Sequence, residues 1–283
     1  MCRFVFYHGP PLLLSALLTE PRHSLIRQSF QSAERSEPLN GDGFGVAWYA
    51  PEVSAEPATF KMITPAWNDR NLVDLARVVK SRTILAHVRA ATQVRAVSEA
   101  NCHPFRSGPW AFMHNGDVGG FHRIRRALMR QLSDRAFDVI EGTTDTEHAF
   151  ALFLDEVGHR PTRDVEELFA ALTRTMARLV ALAAEHAPGE PSYLNLAVTD
   201  GVHSVVTRYT TEDGYAGESL YVDRGRRYVC ENGACRMVAP DDAGGAVIVS
   251  SEPLSDDPGW EAVPRNHAVL IDGRDVELRP LAL

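Results

Sequence analysis

Met1-Cys2-Arg3-Phe4-Val5-Phe6-Tyr7 opens the chain as a strand that begins directly after the initiator methionine. Removal of Met1 would leave Cys2 with a thiol and a free α-amine on one residue, a nucleophile with its own general base. The amine's ordinary pKa, about 7.7–8.0, leaves a useful fraction uncharged at neutral pH and able to take the thiol proton. Judged by position alone, a Cys in an apolar strand is a small buried hydrophobe. The rest of the chain decides between these readings.

The 283 residues are 45% hydrophobic, enough to bury a large core as one big domain or two modest ones. A formal charge of -8 without a Lys/Arg run argues against a nucleic-acid partner. The four cysteines, Cys2, Cys102, Cys230 and Cys235, form no CxxC pair and lack a His at zinc-finger spacing. Neither a disulfide framework nor a metal site is therefore expected, no cofactor is called for, and a reducing cytoplasm fits best. The apolar run Pro11 to Leu18 is short, is broken from the N-terminus by His8-Gly9-Pro10, and reads as a buried helix turn, not a signal peptide. Nothing approaches the length of a membrane span.

Short apolar runs alternate with Gly/Asn/Asp turns in the first half, predicting strands at Arg3 to Tyr7, Gly45 to Tyr49, Thr59 to Ile63, Thr83 to His87 and Trp110 to His114. Helical spacing predicts a helix over Asn71 to Lys80, another over Thr146 to Val157 with Thr144 and Glu147 in capping-box positions, and a third over Val165 to His186. After Pro188-Gly189-Glu190-Pro191 the strand pattern returns at Leu194 to Val198, Ser204 to Tyr209, Ser219 to Val222, Tyr228 to Cys230, Val247 to Ser250 and Ala268 to Ile271. Strands, then helices, then strands suggest two sheets with helices packed outside them. The Pro/Gly segment is too short for a linker, so residues 1–283 are expected to form a single domain.

Several motifs are weak one at a time. Asn40-Gly41-Asp42-Gly43-Phe44-Gly45 lacks the Lys of a phosphate loop and reads as a turn needing positive φ. His87-Val88-Arg89 ends a strand, Asn115-Gly116 is a common turn, and Asp145 could simply complement a helix dipole. Their order is far more specific. Cys2, Asp-Gly-Phe-Gly, His87-x-Arg89-x-x-Thr92, Asn101-Cys102-His103-Pro104-Phe105, His114-Asn115-Gly116 and Thr144-Asp145-Thr146-Glu147 together resemble the class II glutamine amidotransferases.

That resemblance implies an α+β fold of the N-terminal-nucleophile (Ntn) hydrolase type, a four-layer αββα sandwich with two mainly antiparallel sheets between helical layers. It implies that Cys2 attacks the γ-carbonyl of a glutamine-like side chain to give a γ-glutamyl thioester. Arg89 would hold the substrate α-carboxylate with its planar guanidinium, and Asp145 the α-ammonium. Thr92 and His103 would help shape the pocket, while the Asn115 amide and the Gly116 N–H would form the oxyanion hole.

Further segments, among them Ser24 to Ser29, Asn195 to Gly201 and Ser251-Glu252-Pro253-Leu254, resemble the Dug-type amidotransferases, one subunit of a fungal complex that cleaves the γ-glutamyl bond of glutathione. Ser251-Glu252-Pro253 through Trp260 is also similar to the ergothioneine-pathway γ-glutamyl hydrolase. No ammonia-accepting domain is legible. The resemblance therefore implies a small-molecule γ-glutamyl substrate, cleaved by the chain alone or together with a separate partner subunit. Ala90 and Gln93 stand where glutamine-specific members often carry Trp and His, which implies a roomier pocket that would accept a substituted γ-amide. Cys230 and Cys235 flank a hairpin turn, for which a structural role is expected over a redox or metal pair.

Overall fold

In β1 (Arg3–Leu13), Phe4 and Phe6 face one way, Val5 and Tyr7 the other, and all four are fully buried. A strand that is apolar on both faces must be covered on both, so β1 has to lie inside a layered structure. The computed structural model describes residues 2–34, 39–90, 97–225, 227–231, 234–238 and 245–283, and it has those layers.

Strand β1 is central in a seven-stranded sheet. It pairs with β12 on one side and with β4 (Lys80–Val88) on the other, β2 (Phe44–Trp48) and β3 (Ala58–Met62) follow beyond β4, and the spatial order is β13-β9-β12-β1-β4-β2-β3. The six-stranded sheet is built from β5 (Phe105–Ser107), β6 (Trp110–Asp117), β7 (Tyr193–Thr199) and β8 (His203–Arg208), followed by β14 and β15. The remaining strands are β9 (Tyr221–Gly225), β10 (Arg227–Glu231), β11 (Ala234–Val238), β12 (Ala246–Ser250), β13 (Glu261–Ala262), β14 (His267–Asp272) and β15 (Asp275–Pro280). Every pairing is antiparallel.

Three separate apolar clusters mark three interfaces between four layers. Phe4, Phe6, Leu85, Ala111, Met113, Ala197, Val249 and Ile271 fill the space between the sheets. Their sequence neighbours Val5, Tyr7, Ile84, Ala86 and Ile248 face outward, against the short helices α1 (Ser15–Leu18), α2 (Leu25–Gln28) and α3 (Arg70–Ala76). On the opposite side Trp110, Phe112, Leu196 and Val198 pack against α4 (Phe121–Met129), α6 (Asp145–Glu156) and α7 (Val165–His186), while α5 (Asp134–Phe137) contacts α6. Each such large side chain contributes about 1.5–3 kcal/mol on burial. Period-2 alternation thus sorts the residues of the central strands of both sheets into the inter-sheet or the helix-facing layer.

The differences from the sequence reading are local. Residues 11–18 split between the end of β1 and α1, because Leu12 and Leu13 continue to pair with Ser81 and Lys80 beyond an irregularity after His8. Helix α3 is capped by Asp69, whose Oδ1 accepts the Leu72 N–H at 2.8 Å, and it stops at Ala76. Only half of the capping box at α6 forms. Thr144 accepts the Glu147 N–H at 3.2 Å, but the Glu147 carboxylate turns to the N–H groups of Glu141 and Gly142. Cys230 and Cys235 face each other directly across the β10–β11 hairpin and are joined in a disulfide, although no disulfide framework was expected. Register brings them together, and spacing alone does not reveal register. Among the described residues, no helix is long and apolar enough to cross a membrane.

Candidate active site

The inter-sheet alternation fixes which side chains meet at one end of the sandwich. Cys2 continues the parity of Phe4 and Phe6, His87 and Arg89 that of Leu85, and Asn115 that of Ala111 and Met113. All therefore project into the gap between the sheets, where the apolar filling ends.

Strand β1 pairs with β4 so that Arg3 lies opposite Val88, which sets Cys2 against Arg89 and Ala90. The Cys2 thiol is free and half-buried, with Sγ 3.6 Å from the Ala90 carbonyl oxygen. Burial pushes its pKa up, the Ala90 backbone and the Arg89 guanidinium pull it down, and Asp145 raises it again. A base is therefore needed to generate the thiolate at neutral pH. The other free cysteine, Cys102, is buried, with its sulfur on the carbonyls of Met62 and Ser98.

Arg89 is held by its backbone: its N–H donates to Gly43 O at 2.8 Å and its carbonyl accepts the Asp42 N–H at 3.0 Å. Gly43 has φ +115, and a Cβ there would meet the Cys102 sulfur and the Met62 carbonyl, so the expected glycine turn exists and seats Arg89. The guanidinium is nearly buried, yet among the described residues its Nη1 has no hydrogen-bond partner. Asn115 is completely buried, and among the described residues neither its Nδ2 nor its Oδ1 has a partner. Buried polar groups without a partner cost free energy, of the order of 1–3 kcal/mol each. At Gly116, φ is +153 and a Cβ would collide with the Tyr193 carbonyl oxygen, so only glycine fits.

Asp145 opens α6 with its carboxylate fixed by two backbone N–H groups, Val118 to Oδ2 at 2.9 Å and Thr146 to Oδ1 at 2.8 Å. Val118 lies just beyond β6, so this contact ties Asp145 to the strand end that carries Asn115 and Gly116. Asp117, on that same strand end, has its pKa raised to about 7 by burial and by the charges of Asp145 and Glu190.

Three histidines form a rigid floor. His87 Nε2 donates to the His114 carbonyl at 3.0 Å, and His103 Nδ1 meets the same carbonyl at 3.1 Å. The His87 and His103 rings meet tilted by 44° with centroids 4.2 Å apart, and the Phe105 ring lies 5.0 Å from that of His103. His114 donates from Nε2 to the Tyr193 carbonyl at 2.8 Å and faces the Thr146 hydroxyl with Nδ1 at 3.1 Å. Desolvation lowers His87 to about 3 and pushes His103 well below its ordinary value, so both rings are neutral.

The family described as "Glutamine amidotransferases class-II" matches residues 16–213. The chain belongs to the class II glutamine amidotransferases. Arg89, His103, Asn115, Gly116 and Asp145 lie within the matched stretch, and Cys2 precedes it. The chain is 42% identical to "Probable glutamine amidotransferase DUG3" of Saccharomyces cerevisiae, over 99% of this chain and 84% of that protein. It is 27% identical to the gamma-glutamyl-hercynylcysteine sulfoxide hydrolase of Mycolicibacterium smegmatis, over 99% and 100% of the two chains. A solved structure described as a "glutamine aminotransferase class-II domain protein" from Silicibacter pomeroyi superposes with a TM-score of 0.67 at 28% identity, covering both chains fully. The four-layer Ntn-type sandwich and an enzyme of the amidotransferase class thus follow from fold and family together.

Within this amidotransferase fold, Cys2, Arg89, Asn115, Gly116 and Asp145 converge on one end of the inter-sheet gap. His103 lies behind them as part of the floor. Thr92 and Gln93 lie outside the described residues. Sequence reading missed His87 and the floor role of His114, although both sit in the motifs it quoted. For His87 the available signal was its parity with the gap-facing Leu85; His114 shares the helix-facing parity of Phe112, and its carbonyl is what joins the floor. Among the described residues, the one grouping of metal-ligand type is Glu20 with Cys230 and Cys235, and those two sulfurs are bonded to each other.

Proposed function

We propose that this amidotransferase hydrolyses a γ-glutamyl amide, either glutamine or a γ-glutamyl thiol peptide such as glutathione, through a thioester on Cys2, with residues 1–283 acting as one domain. The observation that carries this reading is the buried Asn115 amide with both atoms unpaired, beside a glycine N–H and across the gap from a free thiol. A buried donor without a protein partner fits the negative charge that develops on a carbonyl oxygen under attack.

After removal of Met1, the Cys2 α-amine takes the thiol proton and Sγ attacks the γ-carbonyl carbon. Asn115 Nδ2 and the Gly116 N–H stabilise the oxyanion. Collapse of the tetrahedral intermediate breaks the C–N bond, and the ammonium returns the proton to the leaving amine. Water, deprotonated by the same amine, then attacks the thioester, releasing glutamate and the thiol. The unpaired Arg89 Nη1 suits the substrate α-carboxylate, and the oriented Asp145 carboxylate suits its α-ammonium. His103, kept neutral by burial, braces the Asn115 strand without titrating.

A second reading is favoured by the 27% identity to the hercynylcysteine sulfoxide hydrolase over whole chains: a bulky γ-amide leaving group in place of ammonia. Ala90 at the thiol supports a pocket with room for one. The greater likeness to DUG3 favours a glutathione-like peptide, cleaved by this chain alone or with a separate subunit. The test is release of glutamate by processed protein from glutamine, glutathione and γ-glutamyl peptides. The proposal expects turnover of at least one of them that Cys2→Ala abolishes; turnover that survives Cys2→Ala overturns it.

A further inference from the structure

Ser251-Glu252-Pro253 is a motif that the chemistry above leaves without a task, and it lies directly beneath the nucleophile. Arg3 and Glu252 form an ion pair of 2.7 Å between Nε and Oε1, with side chains only 1% and 4% exposed. Two buried charges of this kind repay their desolvation only with good geometry and satisfied remaining groups. Here the remaining groups are taken up by the two segments that flank Cys2. Arg3 Nη1 donates to the Cys2 carbonyl at 3.1 Å, and Nη2 donates to Ser32 Oγ at 3.2 Å. Glu252 Oε1 also accepts the Ser32 hydroxyl, and Oε2 accepts the Ala33 N–H at 2.9 Å.

The backbone around the pair is tied in the same direction. Ser251 N–H donates to Phe4 O at 3.0 Å, and Ser251 Oγ accepts the Phe4 N–H at 3.1 Å. Gln28, from a second motif without a catalytic task, donates from Nε2 to the Glu252 carbonyl at 3.3 Å. Alternation explains the arrangement: Cys2 and Phe4 face the inter-sheet gap, while Arg3 faces outward and reaches back around the strand to the carbonyl of the residue before it.

We propose that the Arg3–Glu252 pair is a positioning device that fixes the Cys2 backbone, and with it the thiol and α-amine, against the oxyanion site, and yokes the segment around Ser32 and Ala33 to the same anchor. A chain end has no preceding residue to hold it, and termini are mobile unless tied down. A nucleophile on such an end needs an anchor on its own carbonyl. The guanidinium supplies one with a second donor to spare, which a Lys ammonium on its flexible stem would not. The pair faces away from the inter-sheet gap, so it acts through geometry. The inference rests on Cys2 being the nucleophile.

The test compares Arg3→Lys, Glu252→Gln and the double replacement Arg3→Met with Glu252→Leu, which leaves no buried charge unpaired. Sites are counted by titration with a glutamine-derived electrophile, Met1 removal is verified by mass spectrometry, and kcat per titrated site and KM are measured. Misplacing a reacting group by about 1 Å can cost roughly 100-fold in rate. The expected result is a fall of about tenfold or more in kcat per titrated site and in the rate of Cys2 labelling, with KM changed less than about threefold. Folded variants that keep kcat and labelling rate per site within about twofold of the parent would overturn the proposal. So would failure of all three to fold, which would make the pair purely structural. An inactive parent whose Cys2 is labelled quickly counts against the γ-glutamyl reading instead, and the labelling rates still judge the pair.

Discussion

The two ends of the inter-sheet layer treat buried polar groups in opposite ways. At the end away from Cys2, the Tyr49 hydroxyl donates to the carbonyls of Pro109 and Thr199 at 2.8 and 3.0 Å, and Ser81 Oγ donates to Tyr49 O at 2.7 Å. Thr199 Oγ1 donates to His203 O and accepts from Gly201 N–H and Ser204 Oγ, all within 2.9 Å. At the Cys2 end, equally buried Asn115 and Arg89 keep atoms unpaired. Both ends close the same apolar layer, so closure alone does not require unpaired groups. On the function proposed above, the first network is structural and the second receives the ligand.

The largest effect should come from breaking that contrast at Asn115. Asn115→Ala is expected to lower kcat about 100- to 1,000-fold. Its melting temperature should hold or rise, because the lost amide had no partner. Thr199→Val should do the reverse, costing about 1–3 kcal/mol and several degrees while kcat stays within about twofold. Thermal melts beside steady-state kinetics on both variants check this, and a destabilised Asn115→Ala with normal kcat would erase the distinction.

Next comes Arg89. Arg89→Lys keeps the charge and loses the fork, so KM for a γ-glutamyl substrate should rise about 10- to 100-fold with kcat much less affected. An unchanged KM would remove Arg89 from the carboxylate site.

The smallest effect is on stability in acid. Because His87 titrates near 3 in the folded protein and near 6.5 when unfolded, the unfolded chain binds the extra proton between those values. Stability is therefore whole above pH 6.5 and declines as pH falls toward 3, by about 1.4 kcal/mol per pH unit for this histidine, with His103 acting in the same direction. Denaturant unfolding at pH 7, 5.5 and 4.5 should show a shallower slope for His87→Gln than for the parent. Equal slopes would mean that burial of His87 is not what acid disrupts.

Much of this was legible in the chain. Both-face burial of β1 follows from Phe4-Val5-Phe6-Tyr7, helix α7 was read with its observed ends, and the site motifs announced themselves by order. What stayed hidden depends on partners distant in sequence. β5 and β13 are too short to show a period, α4 is masked by its arginines, and β15 alternates charged residues along an exposed edge. The Cys230–Cys235 bond depends on hairpin register, and the Arg3–Glu252 pair joins residues 249 positions apart. The unpaired state of Asn115 is likewise a property of packing, invisible until the neighbours are known.

The central claim is that Cys2 is an N-terminal nucleophile served by a prepared oxyanion site. Intact-protein and peptide mass spectrometry, after incubation with a glutamine-derived electrophile, tests it most directly. The account predicts a chain beginning at Cys2 with one adduct on that residue and none on buried Cys102. A folded, active protein that retains Met1 and stays unlabelled at Cys2 would contradict it.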